Sequence, residues 1–175
     1  MTATPAIDFV IDSDLWKKQP EAEATIRQAI AEAARASRAL PGDIAVVLTD
    51  DAAMAALNKR WRDQDKPTNV LSFPAHAMPA EGEPAHLGDI VIAFETLFAE
   101  AERDAKPFAH HLSHLAVHGY LHLLGHDHDS DRDAEAMERL ETGILARIGV
   151  PDPYAGDHAG QDSAPQEAAT LKTHA

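Results

Sequence analysis

The sequence predicts a single α+β domain, in which a small mixed sheet of about four strands packs with about five helices. The chain has 175 residues, of which 45% are hydrophobic, so it is long enough for one domain with a substantial core. Short apolar runs of strand length alternate with longer segments whose apolar residues recur at helical spacing. Pro and Gly separate these segments.

The first half of the chain holds three strands and two helices in alternation. In order, they are predicted at residues 7–11, 20–40, 44–48, 51–65 and 70–73. The first helix is Ala- and Glu-rich and ends at Pro41-Gly42, whereas Asp51 is placed to cap the second. Lys66-Pro67 ends that second helix, and Pro74 ends the strand that follows.

The second half begins with a Pro-containing surface loop and continues with one strand and three helices. These segments are predicted at residues 75–84, 87–93, 95–105, 108–124 and 131–148. Gly125 ends the long helix in this half. We place the domain at residues 1–154 and expect a disordered tail at 155–175, because Leu171 is the one large aliphatic residue beyond Tyr154.

Composition and charge exclude several classes of protein. The chain has no Cys, which excludes disulfide scaffolds, thiolate zinc sites and Cys nucleophiles. Lys and Arg total 15 against 29 Asp and Glu, so the net charge of −14 disfavours unspecific binding to nucleic acid or anionic membranes. The N-terminus lacks the basic and apolar regions of a signal peptide, and no apolar run approaches a membrane span. We therefore expect a cytoplasmic protein with no membrane partner.

Histidine is the unusual residue, since seven of the 11 lie between residues 110 and 128. His118 and His122 are one turn apart on a predicted helix, so both imidazoles project from one face. Gly125 permits the chain to reverse and bring His128 to the same place. Three imidazoles with an open fourth position are typical of a catalytic zinc site, although nickel, copper and cobalt also accept three nitrogens. We interpret His110, His111 and His114 as helix-surface residues or as supporting neighbours of the site.

The same spacing matches the long zinc-protease motif, which places Glu directly after the first His as its general base. In this chain that residue is Gly119. A zinc metallopeptidase is therefore the alternative enzyme, and a non-catalytic zinc-binding assembly factor is the alternative outside catalysis. Structural zinc is usually held by four protein ligands, so three ligands argue against the second alternative.

A second segment combines cations with an aromatic residue. It contains four of the 15 basic residues together with Trp61: Lys59, Arg60, Arg62 and Lys66. Arg pairs with phosphate in bidentate fashion and Trp stacks on bases, so the segment is a candidate RNA-binding groove. A solvated helix end explains the same residues, because cations also oppose the helix dipole there. Composition leaves these two interpretations open.

Three motifs follow one another in the chain: LN…WR…DKPTNVLSFP from Leu57, LGDI from Leu87 and HGYLHLLGHDH from His118. On these motifs, the chain from about Leu57 to Tyr154 resembles the YbeY family of bacterial metal-dependent endoribonucleases. It departs from the family at His126, where Tyr is common.

The resemblance implies a zinc ion on His118, His122 and His128, with Arg62 in the active-site groove. His126 is added as a candidate catalytic proton carrier. The implied activity is single-strand-selective cleavage of ribosomal RNA, in 16S 3′-end maturation and ribosome quality control. The implied partners are ribosomal RNA, small-subunit ribosomal proteins and a ribosome-assembly GTPase.

Overall fold

The computed structural model describes residues 4–39, 42–75, 81–83, 85–155 and the backbone of 169–170. Within these residues one mixed sheet has five strands: β1 (Ala6–Ile11), β2 (Gly42–Thr49), β3 (Val70–Pro74), β4 (Ala85–Ala93) and β5 (Ala169–Thr170). The helices packed with it are α1 (Ala22–Ser37), α2 (Asp51–Arg62), α3 (Phe94–Arg103), α4 (Phe108–Leu123) and α5 (Asp131–Arg147), with a 3₁₀ helix at Asp14–Lys18. The predicted α+β class is confirmed.

The strand order is β1-β2-β4-β3-β5. β1 and β2 are parallel, with Ile7 opposite Ile44, and β2 and β4 are parallel, with Val46 opposite Ile90. β3 runs antiparallel to β4, with Ser72 opposite Ile90. Parallel neighbours require long crossover connections, and the helix α1 supplies the connection between β1 and β2.

The sheet separates two helical layers. Side chains alternate between its faces, so Val46 and Ile90 join the core formed with α1 and α4, whereas Leu71 and Val91 pack with Met54 of α2. α2 and α4 therefore lie on opposite faces of the sheet. This arrangement places the basic segment and the histidine-rich helix in different layers.

The four predicted strands and five predicted helices are all present, and their ends shift by a few residues. One cap differs from the expectation: Asp50, not Asp51, caps α2 by accepting a hydrogen bond from the backbone N of Ala53 at 2.9 Å. Asp51 instead accepts from the backbone N and hydroxyl of Thr96, at 3.1 and 2.7 Å. Its carboxylate thereby ties α2 to α3.

Two residues of the predicted tail belong to the sheet. Within the predicted tail, Ala169 and Thr170 form β5 and pair in parallel with Leu71 and Ser72 of β3. Residues 156–168 and 171–175 lie outside the described residues, as does most of the predicted loop at 75–84. In the part of the chain that the structure describes, no helix has the length and apolar character needed to cross a membrane.

Candidate metal centre

Helix α4 carries the histidines through the middle of the molecule. It packs against α1, β3, β4, α3 and α5, and every residue from His111 to Leu123 is buried. His118 is 5% exposed and His122 2% exposed, so both imidazoles are removed from bulk water. As the helical spacing predicts, their rings lie together on one face, with centroids 4.6 Å apart.

The turn after α4 brings the third histidine to this pair. Gly125 has φ +97°, the left-handed region that favours glycine, as predicted for this helix end. The backbone N of Gly125 donates to the carbonyl of His122 and that of His126 donates to the carbonyl of Leu121, both at 3.0 Å, which forms a Schellman motif. The reversed chain places the His128 ring 5.1 Å from His122 and 5.9 Å from His118.

The three rings converge as ligands of one ion do. The Nε2 atoms of His118 and His122 are 3.1 Å apart, and the ligand nitrogens of all three residues lie within 4.8 Å of one another. Two nitrogens bound to one tetrahedral zinc ion at ~2.0–2.1 Å are themselves about 3.3 Å apart. Among the described residues, the buried Nε2 atom of His128 has no hydrogen-bond partner. These residues therefore fit a three-histidine metal site.

The surroundings of His122 favour its neutral imidazole, the form that binds metal. Burial, reinforced by the nearby imidazoles of His118 and His128, lowers the pKa of His122 from 6.5 to about 3. A proton therefore does not compete for this ligand near neutral pH.

A buried carboxylate that the sequence analysis did not assign supports the site. Glu141 of α5 is fully buried, and its Oε1 lies 2.6 Å from Nδ1 of His118. Burial alone raises the pKa of Glu141, but the imidazoles of His118 and His114 lower it by more, so the carboxyl group stays ionised. Because the carboxylate accepts a hydrogen bond from Nδ1–H of His118, the proton stays on Nδ1. Nε2 of His118 therefore points its lone pair toward the other two histidines.

The earlier histidines of α4 occupy different environments. His114 is buried and its Nε2 lies 2.9 Å from Oε2 of Glu141, so it is a neighbour of the site, in line with the prediction of a supporting residue. His111 is also buried, with Nε2 3.3 Å from Glu100, so a surface position is wrong for both residues. The cause is that α4 is enclosed on several sides, whereas an ordinary surface helix leaves one face to solvent. His110, in the first turn, is half-buried.

The basic segment forms the C-terminal end of α2 and the loop after it. Trp61 is 41% exposed, and its ring packs edge-on against Phe73 with the ring centroids 6.2 Å apart. The Arg60 guanidinium carbon lies 5.2 Å from the centroid of the Trp61 ring. Lys59, Arg60 and Lys66 are exposed, but Arg62 is half-buried, with Nη1 3.5 Å from Oδ1 of Asn58. The hydrogen bond that the structure gives Arg62 is thus within α2.

Known proteins share sequence with this chain over most of its length. The family model described as Endoribonuclease YbeY matches residues 11–149. The chain belongs to the YbeY family. Three relatives bear that same name. One from Bradyrhizobium diazoefficiens is 53% identical over 86% of both chains, and one from Bradyrhizobium sp. is 55% identical over 86% of this chain and 93% of its own. A third, from Rhodopseudomonas palustris, is 54% identical over 90% of this chain and 95% of its own. A Thermotoga maritima protein of known solution structure aligns over 93% of this chain and 99% of its own, with 21% identity and a TM-score of 0.45.

In this YbeY-family chain, Gly119 faces the sheet. A Cβ atom at Gly119 would lie 3.1 Å from both Cγ2 of Ile90 and Oγ of Ser72, and that hydroxyl already donates to the Gly119 carbonyl at 3.1 Å. The position at which zinc proteases carry their general base is therefore closely packed against β3 and β4 here, and a larger side chain would require Ile90 and Ser72 to shift.

His126, the tentative catalytic residue, follows Gly125 and is exposed. Its backbone N–H closes the turn, and its backbone also bonds to the His122 ring. The part of His126 that the structure uses is therefore its backbone. A catalytic role for its ring stays a prediction.

Proposed function

We propose that this chain is a zinc-dependent endoribonuclease that cleaves single-stranded regions of ribosomal RNA. The observation that carries the proposal is the convergence of His118, His122 and His128 in a chain whose family model and relatives are named for endoribonuclease activity. Another divalent transition metal fits the same three nitrogens, and zinc is the first choice.

Different residues of the chain have different roles in such a reaction. Zinc at a three-histidine site acts as a Lewis acid toward water or a phosphoryl oxygen. His118, His122 and His128 would hold it through their imidazole nitrogens, burial favours the neutral form of His122, and Glu141 fixes the orientation of the His118 ring. We assign Arg62 to the charge that develops on the scissile phosphodiester, and assign Lys59, Arg60, Trp61 and Lys66 to the RNA strand.

The biological setting is proposed from the same family membership. We place the activity in the cytoplasm, at the 3′ end of 16S ribosomal RNA and in ribosome quality control, with small-subunit proteins and a ribosome-assembly GTPase as partners. The net charge of −14 supports a requirement for such partners, because the whole-molecule field opposes the approach of a polyanion.

Two other functions use the same metal centre. A metallopeptidase needs a general base, and the position at which zinc proteases carry theirs is Gly119 in this chain. A non-catalytic assembly factor that holds zinc would bind the metal without cleaving RNA.

Metal analysis combined with an RNA cleavage assay tests the proposal. We expect one zinc per wild-type chain and cleavage of single-stranded RNA in preference to duplex. His122→Ala should lose the metal and the cleavage together, whereas His110→Ala, in the half-buried first turn of α4, should keep both. Metal binding without cleavage in the wild type would favour the assembly factor. A full complement of metal in His122→Ala, bound with unchanged affinity, would rule out the three-histidine site.

A further inference from the structure

Glu141 receives hydrogen bonds on both of its carboxylate oxygens. Oε1 contacts Nδ1 of His118 at 2.6 Å, and Oε2 contacts the hydroxyl of Tyr154 at 2.5 Å and Nε2 of His114 at 2.9 Å. We propose that Tyr154 is a positioning residue of the metal centre, whose hydroxyl holds the carboxylate that in turn fixes His118. This inference rests on the metal centre of the proposed function.

The burial of the carboxylate gives this arrangement its strength. The side chain of Glu141 is 1% exposed, so water cannot replace a lost donor without rearrangement. Hydrogen bonds to an ionised carboxylate are shorter and about twice as strong as neutral ones. The two donors on Oε2 fix the rotation of the carboxylate group, and this rotation directs Oε1 at His118. Removing the Tyr154 hydroxyl therefore loosens a metal ligand that Tyr154 does not itself touch.

The turn that follows α5 holds the Tyr154 ring in place independently of its hydroxyl. Oδ1 of Asp152 accepts from the backbone N of Tyr154 at 2.8 Å and from the hydroxyl of Thr142 at 3.3 Å. Nζ of Lys106 donates to the carbonyl of Pro153 at 3.1 Å. The ring also packs edge-on against His114, with centroids 5.4 Å apart. A phenylalanine at this position keeps the turn and the ring contact and removes the hydrogen bond alone.

The chain supplies its own control, because it has two tyrosines. Tyr120 on α4 is fully buried, and within the part of the chain that the structure describes its hydroxyl has no hydrogen-bond partner. Tyr120→Phe and Tyr154→Phe therefore remove the same atom from two buried or half-buried rings, only one of which contacts Glu141. A general effect of losing a tyrosine hydroxyl appears in both variants, and an effect on the metal centre appears in one.

The first measurement is the zinc affinity of the full-length chain, determined by competition with a chromophoric chelator. Supporting groups of metal ligands commonly contribute about 10- to 100-fold to affinity, so we expect Tyr154→Phe to bind zinc at least ~10-fold more weakly and Tyr120→Phe to match the wild type. Metal-free Tyr120→Phe should unfold close to the wild type, whereas metal-free Tyr154→Phe should stay folded but unfold at a lower temperature, because the buried carboxylate of Glu141 loses a donor. If Tyr154→Phe unfolds, Asp152→Ala, which weakens the same turn, takes its place with the same expectation.

The second measurement asks whether Tyr154 acts through Glu141. In a double-mutant cycle, we expect Glu141→Gln with Tyr154→Phe to lose no more zinc affinity than Glu141→Gln alone. In ¹⁵N imidazole spectra of the metal-free wild type, we expect His118 to carry its proton on Nδ1, and in Tyr154→Phe to mix both tautomers.

Zinc affinity in Tyr154→Phe within twofold of Tyr120→Phe would overturn the inference while leaving the metal centre intact. Additive losses in the cycle, or an unchanged His118 tautomer, would also overturn it. A wild-type chain that binds no zinc would instead overturn the proposed metal centre and this inference with it.

Discussion

At the scale of single residues, Arg62 differs from the cations around it. Lys59, Arg60 and Lys66 are exposed, and the amine of Lys59 lies 3.9 Å from Asp65 across solvent. Arg62 is half-buried and its guanidinium reaches Asn58, whose own amide donates to the carbonyl of Lys66 at 2.8 Å. Asn58 thus ties Arg62 to the loop that closes the basic segment, so this guanidinium is more restricted than its neighbours. A guanidinium group held in one orientation is suited to a bidentate contact with one phosphate, rather than to unspecific attraction of the whole RNA strand.

We therefore predict that Arg62→Ala lowers RNA cleavage by about 10²–10³-fold, the loss typical of a contact to transition-state charge. Arg62→Lys should stay impaired, because an ammonium keeps the charge and loses the planar bidentate geometry. Lys59→Ala, on the same helix, should lower cleavage only mildly. Cleavage rates at saturating RNA, with zinc content and unfolding temperature checked in each variant, make the comparison. Similar mild losses at both positions would show that the segment acts as an unspecific electrostatic patch.

The site residues differ in how far the sequence could predict them. His118 and His122 were predictable because the helical period alone places two imidazoles on one face. Glu141 was not, since in sequence it is one of many acidic residues in a charged helix, and its burial depends on α5 docking against α4. The role of Tyr154 was not predictable either, because its contact with Glu141 depends on how the chain packs after α5. The spacing of residues within one helix predicts which side chains share a face of that helix. The contacts of Glu141 with His118 and Tyr154 instead join residues 23 and 13 positions apart, on different elements.

At the scale of elements, the turn after α4 holds one ligand relative to the other two. Gly125 has φ +97° and no heavy atom within 4 Å of an added Cβ, so a substitution there meets backbone strain rather than a clash. Gly143 lies within α5, also with open space around it, but at an ordinary helical φ. The pair isolates the effect of the left-handed conformation.

We predict opposite outcomes for the two alanine substitutions. Gly125→Ala should lower the free energy of unfolding by about 1–2 kcal/mol and weaken zinc binding, because relief of the strain shifts His128. Gly143→Ala should raise the free energy of unfolding by roughly 0.5–1 kcal/mol and leave zinc binding unchanged, because alanine is the better helix former. Chemical denaturation of the metal-free chain and zinc titration give the two quantities. Wild-type zinc affinity in Gly125→Ala would mean that the turn does not position His128.

The same scale shows where element prediction ended. Apolar periodicity, with Pro and Gly as breakers, predicted the five α-helices and the four longer strands but not the 3₁₀ helix at Asp14–Lys18. The strand order, the separation of α2 and α4 by the sheet, and β5 depend on pairing between distant segments. β5 consists of Ala169 and Thr170, a pair that carries no apolar pattern from which a strand could be predicted.

At the scale of the whole molecule, the negative net charge of the chain opposes the approach of RNA, the proposed substrate. The chain has a net charge of −14, yet four of its 15 cations are concentrated between residues 59 and 66. Asp63 and Asp65 reduce that segment to +2, the difference between four cations and two carboxylates. An RNA strand must therefore bind through a few local contacts against a repulsive field, and such binding has a small salt dependence.

This argument sets a number for the salt dependence of RNA binding. Each phosphate contact to a single strand contributes about −0.7 to the slope of log affinity against log salt concentration, so four cations give at most about −3. Lys66→Ala should reduce that slope by about 0.7. Lys17→Ala, a matched exposed lysine whose amine pairs with Asp14 in the 3₁₀ helix at 3.2 Å, should leave it unchanged. Fluorescence anisotropy with a single-stranded RNA, in chelator to prevent cleavage, measures all three slopes. A slope much steeper than −3, or an equal change in Lys17→Ala, would place the RNA on a surface other than the basic segment.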